Sequence, residues 1–290
     1  MTGFAQRFLQ LAGERSPLCL GLDPSAELIR AWGLDDDAEG LRRFCEISLE
    51  AAGDRVAAFK PQSAFFERFG PRGLGELARV TARIREQGGL SIIDCKRGDV
   101  AETMKGYAAA MLGPQSAYGG DAMTVTAYLG FAALEPVLST AARCGAGVFV
   151  VVRSSNPDGR RLQDALLANG QRVADGLADE ITAFNEPLDG GLGPIGAVIG
   201  ATIDRDAATT LTRLPRSLIL APGVGAQGAS LDDIRANFGA AAGRTLPSVS
   251  RAILRHGPDP AALREVIDRF RDQAWAMAQG RSAVLQLAPG

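Results

Sequence analysis

The chain has 290 residues, 46% of them apolar and 22% charged, with a formal net charge of −2. That length suits one α/β barrel or two ordinary domains, and such a chain can bury a large core. No Lys/Arg block marks a nucleic-acid or membrane surface, and four scattered cysteines with one histidine, His256, argue against a disulfide scaffold, a zinc site and histidine-based nucleophilic catalysis.

At the N-terminus Phe4, Phe8 and Leu11 recur at helical spacing and predict an amphipathic helix. The segment has neither a cleavage pattern nor a long apolar core. No stretch of the chain reaches the roughly 18 unbroken apolar residues of a membrane span, so the expected location is the cytoplasm.

Eight short apolar runs then alternate with longer amphipathic segments. They are Leu18–Asp23, Arg55–Lys60, Leu90–Asp94, Asp121–Val125, Gly147–Arg153, Ile195–Gly200, Ser217–Ala221 and Arg244–Val249. The last is the weakest, because Pro247 lies within it and a central strand tolerates proline poorly. Leu74, Leu77, Thr81 and Ile84 predict a helix before the third strand, and Leu263, Val266, Ile267 and Phe270 predict one near the end. Leu166, Val173, Leu177, Ile181 and Phe184 read as one helical face before the sixth strand. Alternating β and α with continuous apolar strands means a parallel sheet covered by helices, and eight units favour a closed (β/α)8 TIM barrel, here as a single domain over residues 1–290. Pro187–Pro194 reads as a loop, and the tail after Arg281 as loosely packed.

In such a barrel chemistry sits at the carboxyl ends of the strands. These ends carry Asp23, Lys60, Asp94 and Lys96, and Arg153 followed by Ser154, Ser155 and Asn156. Asp94 and Lys96 are two apart at a strand end and share a face; Asp99 follows in the turn. An anion–cation–anion order can keep a lysine protonated, which makes Lys96 a candidate general acid. Taken alone, the triplet also reads as a surface salt bridge. Its strand-end position, with Lys60 one strand earlier, favours a site. After the seventh strand, Gly223, Gly225 and Gly228 let backbone N–H groups approach a ligand, and loops there often hold phosphate in barrels. Gln227 and Arg251 are candidate phosphate donors; a plain flexible loop and a helix-capping arginine are the alternatives.

Asp94–Asp99, DCKRGD, has the DxKxxD form of orotidine 5′-phosphate decarboxylases, and Phe59–Lys60–Pro61, Leu22–Pro24, Ser155–Pro157 and Pro222–Gly228 fit that family's pattern in order. The resemblance runs from Asp23 to Arg251, and FKPQSAFFE and RSSNP look most like the longer bacterial (type 2) branch. It implies a cofactor-free, metal-independent enzyme that converts orotidine 5′-phosphate (OMP) to UMP and CO2 in pyrimidine biosynthesis. By resemblance, Lys96 protonates the C6 carbanion, Asp94 sits near the substrate carboxylate, and Lys60 completes the charged array. Asp23 binds ribose hydroxyls with Lys60, Ser155 or Ser154 reads the pyrimidine edge, and Gln227 and Arg251 grip the phosphate beside Gly225. Asp99, with Thr103 at the same edge, reaches the neighbouring site of a homodimer. Where many compact members have histidine, this chain has Asn156. The competing readings are a metal-dependent sugar-phosphate synthase or decarboxylase of the same barrel suprafamily, a Schiff-base aldolase using Lys60 or Lys96, and a nucleotide-binding barrel without catalysis.

Overall fold

The computed structural model describes residues 2–186, 191–203, 205–225 and 228–279 of the chain. Part of the Pro187–Pro194 loop, Gln227 and the tail after Arg281 therefore lie outside the described residues.

Eight strands form where the apolar runs stand. They are β1 (Cys19–Leu22), β2 (Ala58–Pro61), β3 (Leu90–Arg97), β4 (Ala122–Val125), β5 (Gly147–Arg153), β6 (Ile195–Ile199), β7 (Ile219–Pro222) and β8 (Thr245–Val249). Each pairs in parallel with the next, and β1 pairs with β8, so the sheet closes into a (β/α)8 barrel. Helices follow the strands and shield their outer faces, as the unbroken apolar character of the runs requires. Pro247 does sit in β8. It registers with Ala221 of β7, while the β1 pairing begins only at Ser248, so the missing N–H falls where the ladder to β1 has not started.

The predicted N-terminal helix spans Phe4–Glu14 and closes one end of the barrel. Phe4 and Phe8 pack into a cluster with Cys19, Leu90, Ile92, Phe149, Leu220 and Leu246, residues that the strands turn inward. The Phe4 and Phe149 rings meet edge to face, with centroids 5.8 Å apart. A second, larger core lies between the barrel and the helices.

The helix Gly70–Glu86 buries Leu77, Val80, Thr81 and Ile84, and Pro260–Ala278 buries Leu263, Val266 and Ile267, both close to expectation. Leu166 departs from it. The helix before β6 begins only at Val173, and Leu166 is 70% exposed in a short antiparallel bridge with Arg172. Its seven-residue spacing from Val173 mimics a helical repeat that the chain does not form. Asp37 caps the helix Ala38–Ala52 by accepting from the Gly40 N–H at 2.8 Å.

Because Phe8 fills the closed end of the barrel with no solvent-exposed side to relax into, Phe8→Ala is expected to lower stability by about 3–5 kcal/mol in urea unfolding. A loss below about 1 kcal/mol would show that the helix does not act as a plug.

Candidate active site

The carboxyl ends of the strands open onto a cavity of about 310 Å³. Nine of the residues singled out in the sequence line it: Asp23, Lys60, Asp94, Lys96, Ser154, Ser155, Asn156, Gly223 and Arg251. Gly225 lines the adjoining cavity, which also reaches Arg251. Its φ is +75°, and a Cβ there would fall 2.6 Å from that of Ala252, so both conformation and space require glycine. Asp99 and Thr103 do not line the cavity. Asp99 accepts from the Val100 N–H, and Thr103 is exposed in the first turn of the helix Ala101–Met111.

The centre of the site is Asp94, buried in the carboxyl-terminal half of β3. Its Oδ2 accepts from Lys60 Nζ at 2.7 Å and its Oδ1 from Lys96 Nζ at 2.5 Å. Burial alone would raise the Asp94 carboxyl, but the two ammonium groups outweigh it and hold it well below the usual carboxylate range. Burial would likewise lower the Lys60 ammonium, yet the carboxylates of Asp94 and Asp23 hold it above the usual lysine range. The lysines are not equivalent: the Lys60 side chain is 6% exposed and that of Lys96 45%. Lys60 is thus a fixed charge, while Lys96 offers its ammonium to the cavity.

Lys96 also has a φ of +44°, the only positive value at a non-glycine residue among the described residues. Such a backbone costs about 1–3 kcal/mol and persists only where the surroundings enforce it. Next to it, burial pushes the Cys95 thiol up to about 11, so that side chain stays protonated at neutral pH.

Several residues at the site escape a reading of the sequence. Thr124 of β4 is buried and hydrogen-bonded to Asp94, and Gln62, directly after β2, donates from Nε2 to the Asp94 carbonyl at 3.1 Å. Asp23 Oδ1 and Ser250 Oγ are buried with no hydrogen-bond partner among the described residues. Arg153 goes the other way: it is buried but does not line the cavity. It turns into the helical layer, pairing with Asp164 at 2.7 Å and donating to Thr210 Oγ1 at 3.1 Å. Beside it, Ser154 is engaged by one carboxamide: its N–H donates to Gln163 Oε1 at 3.1 Å, and its Oγ accepts from Gln163 Nε2 at 2.9 Å. Neither the N–H nor the hydroxyl of Ser155 forms a hydrogen bond among the described residues.

Residues 16–266 match the family described as orotidine 5′-phosphate decarboxylase / HUMPS. The chain belongs to this family. It is 49% identical over 267 residues to the orotidine 5′-phosphate decarboxylase of Myxococcus xanthus, covering 92% of this chain and 93% of the relative. To that of Salinispora arenicola it is 48% identical over 269 residues, covering 93% and 96%. Among solved structures, one from Streptomyces avermitilis carrying the same assignment superposes with a TM-score of 0.91 at 44% identity, covering 96% of this chain and 97% of that one. The OMP decarboxylase of Leishmania donovani superposes at 0.78 with 28% identity, covering 96% and 100%. The relatives matched at 42–49% identity are bacterial, in line with the branch that the FKPQSAFFE and RSSNP segments resemble.

Removing the Asp94 charge leaves Lys60 buried and unpaired. Asp94→Asn should therefore cost about 3–5 kcal/mol in urea unfolding at pH 7. The pH dependence follows from the two directions. Asp94, held low, stabilises the fold above the ordinary carboxylate value of about 3.9, and that contribution disappears as the pH falls through its folded value. Lys60, held high, contributes fully below about 10.4 and loses its contribution as the pH rises through its folded value. Asp94→Asn should abolish the acid part of this profile; an unchanged acid limb would mean that another group carries it.

Proposed function

We propose that this chain decarboxylates orotidine 5′-phosphate to UMP and CO2, the UMP-forming step of pyrimidine biosynthesis, with Lys96 as the proton donor. The observation that carries the mechanism is the convergence of two lysines on one buried carboxylate at the barrel mouth, with only Lys96 open to the cavity.

The bond from C6 to the carboxylate carbon breaks, its electron pair stays on C6, and CO2 departs. Negative charge then develops on a ring carbon without an electron sink, and fixed positive charge is the means of stabilising it. The Lys96 ammonium sits where it can do so and then deliver its proton to C6. Asp94, beside the departing carboxylate, adds ground-state repulsion of roughly 4 kcal/mol at about 4 Å and an effective dielectric near 20. That effect is secondary to stabilisation by Lys96, because the attraction to the ammonium grows as the carbanion forms.

The other contacts follow the shape of the cavity. A ribose hydroxyl would satisfy the unpartnered Asp23 oxygen, and Arg251 would hold the phosphate, joined by Gln227, which the family resemblance assigns to that group. Because Gln163 already engages the amide and hydroxyl of Ser154, Ser155 is the better reader of the pyrimidine edge. The metal-dependent sugar-phosphate reading shares this barrel, but the curated relatives at 42–49% identity are named orotidine 5′-phosphate decarboxylases. No helix among the described residues is long and apolar enough to cross a membrane, in keeping with work in the cytoplasm on a soluble nucleotide.

A homodimer belongs to the same proposal. Val100, which follows Asp99 in the loop after β3, is 56% exposed, and Tyr128 and Leu129 in the loop after β4 are 79% and 53% exposed; the Thr126 N–H donates to the Arg97 carbonyl and so joins the two segments. Exposed apolar side chains on these two loops suit burial against a second copy, with Asp99 and Thr103 carried to the partner's cavity.

Spectrophotometric turnover of OMP should be present and insensitive to EDTA, and Lys96→Ala should abolish it while UMP still binds. Loss of activity in EDTA would favour the metal-dependent alternative, and a tenth of wild-type kcat in Lys96→Ala would remove the proton-donor role. Asp99→Ala and Lys96→Ala, each inactive alone, should regain activity when mixed and reassociated, since one site of each mixed dimer is then intact. A mixture that stays inactive despite subunit exchange would contradict the sharing of Asp99.

A further inference from the structure

The backbone that presents Lys96 is irregular in a specific way. The β3–β4 register pairs Ile93 with Met123 and Arg97 with Val125. Three residues of β3, Asp94, Cys95 and Lys96, therefore stand opposite one residue of β4, Thr124. A bulge of this kind deprives the strand of ladder hydrogen bonds and re-aims its side chains.

Thr124 makes a contact with each of the three. Its Oγ1 accepts from the Lys96 N–H at 2.9 Å, the residue at φ +44°, and donates to Asp94 Oδ1 at 2.8 Å. Its carbonyl accepts from Cys95 Sγ at 3.5 Å. The hydroxyl thus stands in for the missing ladder acceptor, and its proton is directed to the same carboxylate oxygen that receives Lys96 Nζ. The side chain is 1% exposed and lines the cavity, so water cannot replace it without a rearrangement.

We propose that Thr124 is the positioning residue of the acid–lysine array: its hydroxyl pins the left-handed backbone of Lys96 and orients the Asp94 carboxylate, so that one side chain sets where the ammonium stands in the cavity. The role rests on the decarboxylase reading above. It follows from the donor and acceptor count. Valine has the shape of threonine but can neither accept from the Lys96 N–H nor donate to Asp94, whereas serine can do both.

Thr124→Val should lower kcat for OMP at least tenfold while KM and UMP affinity stay within about twofold, because the nucleotide contacts lie elsewhere in the cavity. Thr124→Ser should recover most of the rate. A crystal structure of Thr124→Val should show Lys96 relaxed to negative φ or its ammonium displaced from Asp94. Retention of kcat within twofold in Thr124→Val, equal losses in the Val and Ser variants, or a fall in UMP affinity as large as that in kcat would each overturn the proposal. If Thr124→Val does not fold, Thr124→Ser and Thr124→Ala carry the comparison: equal kcat in those two overturns it, and a rate retained only by Ser supports it. A wild-type chain that does not turn over OMP sinks the decarboxylase reading itself, whereas an active wild type with an equally active Thr124→Val sinks only this inference.

Discussion

A carboxylate that is buried must remain charged or cease to hold its neighbours, and Asp94 meets that constraint through two ammonium groups and one hydroxyl. Each partner comes from a different part of the barrel: Lys60 from β2, Thr124 from β4, and Lys96 from the same strand two residues on. The arrangement exists only when the sheet is closed and in register. A one-residue slip between adjacent strands would turn these side chains to the other face. Folding and assembly of the site are therefore the same event.

Division of labour among the charges follows from their exposure. Lys60 is enclosed and stays paired with Asp94, and Lys96 is the member that can leave Asp94 for a substrate. The strained backbone at Lys96 fits this view. A regular strand already sets residues 94 and 96 on one face; the bulge changes how the Lys96 backbone is presented there, at φ +44°, while Cys95 is tied to the Thr124 carbonyl. Strain is tolerable here because Thr124 and the paired charges over-determine the geometry.

Much of this was legible in the sequence. The eight apolar runs mark the eight strands, since a strand buried on both faces has to be continuously apolar. The polar residues at their ends identify the cavity, because a barrel mouth is where such groups meet solvent. What the sequence does not carry is whatever depends on register. Thr124 reads as an ordinary β-branched strand residue, and nothing in DAMTV reveals that three residues oppose it. Arg153 carries a charge at a strand end like the others, yet the bulge between Val151 and Arg153 turns it into the helical layer toward Asp164. The Gln163 clamp on Ser154 joins residues nine apart through a short helix, Arg160–Gln163, that has no buried face to announce it. Leu166 misled for the converse reason: a helical interval without a helix.

The central claim is spatial: the ammonium of Lys96 meets the ring carbon at which charge appears. A crystal structure of the chain with UMP bound tests it most directly. The account predicts the pyrimidine in the cavity between Ser155 and Asp94, the phosphate on Arg251, and Lys96 Nζ about 3–3.5 Å from C6, the separation of a near-attack geometry. A nucleotide bound in that cavity with C6 turned away from Lys96, or bound outside it, would contradict the account.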